Sequence, residues 1–181
     1  MHRMKNIKRW NLMRNTREEN VQEHSHAVSV IAHALCVIKN SVFGGNVSEK
    51  DVLACAVYHE AGEVITGDLP TPIKYFNADI KNSYKEIEKF AEKTLVDMLP
   101  EEIKDGVAPY VLGEVSTEVK KIVKAADRLS AYIKCMEEKK SGNSEFEKAA
   151  ARIMTSIKSM EMPEVEYFIE KFLPGYEMTL D

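Results

Sequence analysis

Two histidines and two carboxylates, met along the chain between residues 24 and 127, have the types and settings of a divalent-metal site. His24 stands in "EHSH", His59 and Glu60 adjoin in "YHEAGE", and Asp127 lies in "KAADRLSAY". A divalent ion draws ligands from several elements, and imidazole with carboxylate suits Mn, Co, Fe, Ni or Zn better than Ca. Asp127 sits between Ala126 and Arg128 in a helical segment rich in Ala and Leu. A carboxylate there is costly to leave unpaired, so it calls for a metal or a cation. Arg128 is turned about 100° away on a helix, which makes it a poor partner. Spacing alone leaves a plainer reading open, in which these are unrelated polar residues of surface and core.

Glu63 follows His59 by four positions and Glu60 by three, so on a helix all three can face one cavity. The pattern is not the HExxH of zinc proteases, because the second histidine is missing. A carboxylate beside a metal site is suited to general acid or base work; the alternative is a solvated helix face. His26, two positions from His24, points elsewhere on a helix. His33, nine positions on, lies roughly 180° around. His2 belongs to the terminus. None of these three is expected to contribute.

The elements that must position these groups read as helices. Asn20 with Glu23 three residues on opens a helix expected to run to about Asn40, with Val28, Ile31, Leu35 and Ile38 on one face. Ser48 starts the next, which carries Val52 and Ala56 into His59 and Glu60 near its end. Gly62, Gly67 and "DLPTP" mark a loop. A long amphipathic helix is expected over residues 78–99, and Pro100 is placed for the first turn of a short one. Further helices are expected from Thr117 to Lys140, with Asp127 inside, from Ser144 to about Met160, and from Pro163. No segment alternates as a strand. The expectation is an all-α helical bundle forming a single domain over residues 1–181.

Composition narrows the function classes. With 181 residues, 44% hydrophobic and 30% charged, the chain has the make-up of a soluble globular domain. A net charge of −4 argues against broad, non-specific binding to nucleic acid. Cys36, Cys55 and Cys135 stand singly, as free thiols in a reducing compartment would. No apolar run approaches the roughly 20 residues of a membrane span, and the N-terminus lacks an apolar signal segment. The expected location is the cytoplasm, away from membranes. A metal-dependent hydrolase, a binding or regulatory helical module, and a structural bundle all remain compatible with these features.

The ordered set "KRWNLMRNTREENVQEHS", "FGGNV", "YHEAGEVITGDLPTPIKYFN", "LVDMLPEE", "KAADRLSAYIKCMEE" and "FLPGYEMTL" resembles the YfbR-like family of bacterial HD-domain 5′-deoxynucleotidases over nearly the whole chain. The resemblance implies an HD-type bundle and a metal-dependent phosphomonoesterase acting on deoxyribonucleoside 5′-monophosphates. It implies a homodimer using Co, Mn, Mg, Zn or a similar divalent metal ion. By position, His24, His59, Glu60 and Asp127 match the metal ligands, and Glu63 matches the catalytic carboxylate. Arg9 matches an arginine that orients phosphate, Trp10 an aromatic residue beside the sugar, and Asp68 and Thr71 substrate contacts in the loop. A guanidinium suits phosphate oxygens, and a bulky indole near C2′ crowds out a ribose hydroxyl. Without the resemblance, Arg9 and Trp10 read as an anchor at a helix end, and Lys74 as a solvated lysine.

One position departs from the family pattern. Its paired ligand is Asp, and here it is Glu60. The extra methylene moves the carboxylate by more than about an ångström, to be absorbed by a different rotamer or a shifted helix, with Gly62 as local slack. The outcomes consistent with this are an enzyme with altered metal preference, a weakened enzyme, a hydrolase of another nucleotide, or a nucleotide- and metal-binding regulatory protein.

Overall fold

Asn20 begins the first long helix in extended conformation, and its side chain accepts hydrogen bonds from the backbone N–H groups of Gln22 and Glu23. The helix α1 (Val21–Phe43) ends where Gly44 turns left-handed at φ 69°, a conformation favouring glycine. Ser48 caps α2 (Glu49–Tyr58) by accepting from the Asp51 N–H, and Ser116 caps α7 (Thr117–Lys140) by accepting from the Val119 N–H. These three helices pack together. Val28, Ile31 and Leu35 of α1 meet Val52 and Ala56 of α2 and Ile122, Ala126 and Leu129 of α7 in one buried core. Each fully buried aliphatic side chain contributes roughly 1.5–3 kcal/mol. Helices α8 (Glu147–Lys158) and α9 (Pro163–Lys171) complete the core through Ile157, Val165 and Phe168. The computed structural model describes residues 1–74 and 76–178. Tyr75, from the "YHEAGEVITGDLPTPIKYFN" block, and residues 179–181, including the end of "FLPGYEMTL", lie outside the described residues.

Between α2 and α7 runs a second layer: α3 (Glu63–Thr66), α4 (Thr71–Lys74), α5 (Ala78–Asp97) and α6 (Glu101–Val111). It has its own small core, in which Ala61, Val96 and Val111 are buried against Tyr58 and Leu95. Among the described residues there is no strand, only one isolated antiparallel bridge between Lys8 and Asn20. The all-α expectation therefore holds. By length and composition α1 is apolar enough to cross a membrane, which the sequence reading did not anticipate. Its apolar face is taken up by the bundle core.

Three local expectations are corrected. Helix α2 stops at Tyr58, so His59 and Glu60 lie in a turn after it and Glu63 opens a separate short helix. Pro100 precedes α6 as its cap rather than entering its first turn. The stretch expected as one helix from Ser144 begins as a 3₁₀ turn (Ser144–Phe146), because Asn143 accepts a hydrogen bond from the Glu145 N–H.

The N-terminal segment is fastened to this scaffold at both ends. Near Ile7–Arg9 it pairs with the start of α1: the Arg9 N–H donates to the Glu19 carbonyl and the Val21 N–H to the Ile7 carbonyl, both at 2.9 Å. Farther on, the fully buried Glu138 carboxylate of α7 accepts from the Thr16 N–H at 2.9 Å, the Thr16 hydroxyl at 2.8 Å and Asn143 Nδ2 at 2.8 Å. Lys134 bridges Glu138 and the Arg17 carbonyl.

Candidate metal centre

The architecture brings the first turn of α1, the turn after α2 and the middle of α7 to one place. His24, His59, Glu60 and Asp127 each offer a ligand atom there, all within 4.8 Å of one another. His24 Nε2 stands 3.1 Å from Asp127 Oδ1, and His59 Nε2 stands 3.6 Å from Glu60 Oε1. The two imidazole centroids are 5.5 Å apart. The longer Glu60 side chain thus still reaches the cluster.

The outer face of each imidazole fixes what its inner face offers. His59 Nδ1 is 2.7 Å from the Ala56 carbonyl, which can only accept, so Nδ1 carries the proton. Nε2 then holds a lone pair, and it is buried with no hydrogen-bond partner. Burial is the largest influence on this imidazole and lowers its proton affinity, against the opposing charges of Glu60 and Asp127. His24 is fully buried; its Nδ1 faces Ser130 Oγ at 3.3 Å and Glu19 Oε1 at 3.7 Å. Imidazoles tied to an acceptor through one nitrogen and open at the other are the usual form of a histidine ligand.

The charge balance points the same way. Glu60, Glu63 and Asp68 act on one another across the site, and Arg9 is the cation common to them and to Asp127. Burial disfavours the Arg9 charge, but Asp127, Glu19, Glu60 and Asp68 outweigh it and raise its proton affinity. Burial, then the charge and hydrogen bond of Glu60, hold the Glu63 carboxyl well above the usual carboxylate range. Burial likewise raises Asp68, with Arg9 opposing. Burial works against the Asp127 carboxylate too, yet the hydrogen bond and charge of His24, with His59 and Arg9, hold it well below the ordinary value. A buried lone pair without a donor and an excess of carboxylate are what a divalent cation satisfies. The residues present therefore fit a metal ion.

Arg9 and Trp10 form the neighbouring wall. Trp10 takes φ 56°, a left-handed conformation strained for a bulky residue. It is held by a hydrogen bond from Nε1 to Glu19 Oε2 at 2.8 Å, by an Asn15 Nδ2 donor on its carbonyl at 3.1 Å, and by Phe146, whose ring centroid is 5.3 Å away. Glu63 is buried with Oε2 unpartnered. Asp68 is half-buried in the loop before α4, and Thr71 opens α4 as an exposed residue. Lys74 is not the solvated lysine expected: it pairs with Glu88 at 2.7 Å and lies 4.9 Å over the Tyr84 ring. As expected, His26 is exposed, His33 turns to Glu49 at 3.4 Å, and Arg128 donates to the Ser156 carbonyl.

Gly62 is not a source of slack. Its backbone is ordinary right-handed helix at φ −58°. A Cβ there would stand 3.4 Å from Glu92 Cγ and 3.6 Å from the Glu88 carbonyl, ordinary contact distances against α5. Sequence reasoning missed Glu19, Ser130, Lys134 and Glu138. A signal was present for the last three, since with Asp127 they fall on one face of α7. Glu19 carried none.

Solved structures share the fold. An HD-domain phosphohydrolase from Listeria innocua superposes with a TM-score of 0.83 at 24% identity, over 97% of this chain and 85% of that one. A cyanophage S-2L HD phosphohydrolase, bound to dA and one catalytic Zn2+ ion, superposes with a TM-score of 0.70 at 20% identity, over 98% and 95%. Sequence relatives lie nearer: the 5′-deoxynucleotidases YfbR of Shigella flexneri and of Escherichia coli O157:H7 are each 50% identical over 182 aligned positions, covering 100% of this chain and 92% of theirs. Half identical to such relatives, and matched over residues 1–176 by the family model described as 5′-deoxynucleotidase YfbR-like, the chain belongs to that family.

Proposed function

We propose that this chain hydrolyses deoxyribonucleoside 5′-monophosphates to deoxynucleoside and phosphate. The observation that carries the reading is the buried, donor-free His59 Nε2, gathered with His24, Glu60 and Asp127 within 4.8 Å. These four residues would hold a divalent cation of the Co, Mn, Mg or Zn type. When bound, the cation supplies positive charge and Lewis acidity beside the phosphate.

The chain's own groups do the rest. The Arg9 guanidinium pairs with phosphate oxygens and orients the group for in-line attack by water. Glu63 handles the proton between the attacking water and the leaving 5′ oxygen as the P–O5′ bond breaks. Trp10 stands beside C2′ and crowds a ribose hydroxyl. Asp68 accepts a hydrogen bond from the sugar, and Thr71 contacts the substrate from the start of α4. The whole of residues 1–181 acts as one domain.

The chain works as a homodimer in the cytoplasm. Ile87, Phe90 and Met98 on α5 and just beyond it leave 51%, 68% and 71% of their surface exposed, which a second copy would cover. The three buried free thiols suit a reducing compartment. Sedimentation equilibrium of the native chain and of Phe90→Glu tests the dimer; a native monomer removes it.

The functional test is phosphate release from dAMP and AMP by metal-free protein given Co, Mn, Mg or Zn, beside Glu60→Asp. Release from dAMP with little from AMP is expected. No release by the native chain, but release by Glu60→Asp, would replace this reading with a binding protein.

A further inference from the structure

Glu19 touches three residues that the proposed function uses for two different tasks. Its Oε2 accepts from Trp10 Nε1 at 2.8 Å and lies 3.4 Å from Arg9 Nε. Its Oε1 lies 3.7 Å from His24 Nδ1. The side chain is only 14% accessible, so little water competes for these contacts. Its backbone is tied to the same partners, because the Glu19 carbonyl accepts from the Arg9 N–H and the residue stands two before α1 opens.

We infer that Glu19 is a positioning residue that sets the metal seat and the substrate wall as one unit. This role rests on His24 as a metal ligand. Toward the metal, Ser130 Oγ at 3.3 Å is the nearer partner of His24 Nδ1, and the Glu19 charge at 3.7 Å biases that nitrogen to carry the proton, which turns the Nε2 lone pair inward; removing an outer support of a ligating histidine commonly weakens metal affinity 10- to 100-fold. Toward the substrate, the same carboxylate holds the indole of a residue whose backbone is strained at φ 56°. It also fixes the guanidinium by charge. Arg9 Nε has no hydrogen-bond partner, so the charge of Glu19 is what anchors that edge while the other nitrogens remain for phosphate. Metal ligand, phosphate ligand and sugar wall thus share one carboxylate.

The test uses the full chain and two readouts that need no turnover. Zn2+ affinity is measured by calorimetry, and acrylamide quenching of Trp10, the chain's one tryptophan, reports the indole. Glu19→Ala is expected to lose at least tenfold in Zn2+ affinity and to expose the indole to quencher. Glu19→Gln keeps an acceptor for the indole N–H but loses the charge; it should lose Zn2+ affinity with Trp10 still shielded. Glu18→Ala removes an exposed carboxylate paired with Lys8 and should change neither readout. A Glu19→Ala protein altered in only one readout, or in neither, overturns the linkage. If Glu19→Ala does not fold, unchanged Zn2+ affinity in Glu19→Gln overturns it. Absence of Zn2+ binding by the native chain sinks the metal reading itself, and the linkage with it.

Discussion

Asp127 and Glu138 lie on one face of α7, about three turns apart, and do opposite jobs with the same functional group. Asp127 faces His24 across 3.1 Å in the candidate metal cluster, while Glu138 receives the backbone of the Trp10–Glu19 loop at Thr16. Ser130, against His24, and Lys134, against Glu138, fill the stripe between them. One helix face therefore carries both a candidate ligand and the support of the segment that walls the site.

The Glu138 support makes stability depend on pH. Burial alone would push this carboxyl up, but hydrogen bonds from Lys134, Thr16 and Asn143 hold it down to about 2 from an ordinary 4.5. A depressed folded value means stability that is full above the unfolded pKa and lost as pH falls through the folded one. At neutral pH, Glu138→Gln should cost roughly 3 kcal/mol. Urea titrations should show that deficit shrinking between pH 4.5 and 2; a deficit independent of pH would refute the assignment.

Glu63→Gln separates chemistry from metal binding. Turnover of dAMP should fall by roughly two to four orders of magnitude, while calorimetry shows Zn2+ still bound. Turnover near the native rate would remove Glu63 from the reaction.

Trp10→Ala tests the sugar wall. The ratio of AMP to dAMP hydrolysis, each as kcat/KM, should rise by roughly ten-fold or more. An unchanged ratio makes the steric account wrong, whatever happens to the absolute rates.

Zn2+ should stabilise the fold through the four-residue cluster. At 100 times its Kd, a ligand bound only by the native state adds about 2.7 kcal/mol, seen as a higher Tm. His59→Asn should lose most of that gain, and chelation should return the native protein to the metal-free Tm. Equal gains in both proteins would place the ion elsewhere.

The sequence exposed the site better than it exposed the local backbone. His24, His59 and Asp127 could be picked out because imidazole and carboxylate stood inside strongly helical apolar segments. The end of α2 at Tyr58 could not, because His59, Glu60 and Ala61 carry no helix-stopping residue; packing against α5 at Gly62 accompanies the break. The homology blocks pointed to Arg9 and Trp10, but not to what holds them. Their support comes from Glu19 and, 122 residues beyond Thr16, from Glu138. Contacts across such separations have no periodic signature.

The loop that bears Trp10 is clamped at two places, by backbone pairing between Arg9 and Glu19 and by the Thr16 contact with Glu138. Mechanically, it is a strap under restraint rather than a flap. A nucleotide arriving at this wall meets a surface already at rest, with its ordering entropy lost during folding. In the proposed function, Trp10 would then act on the sugar as a fixed gauge that admits or refuses, and the kinetic signature of a closing step is not expected from this side of the site.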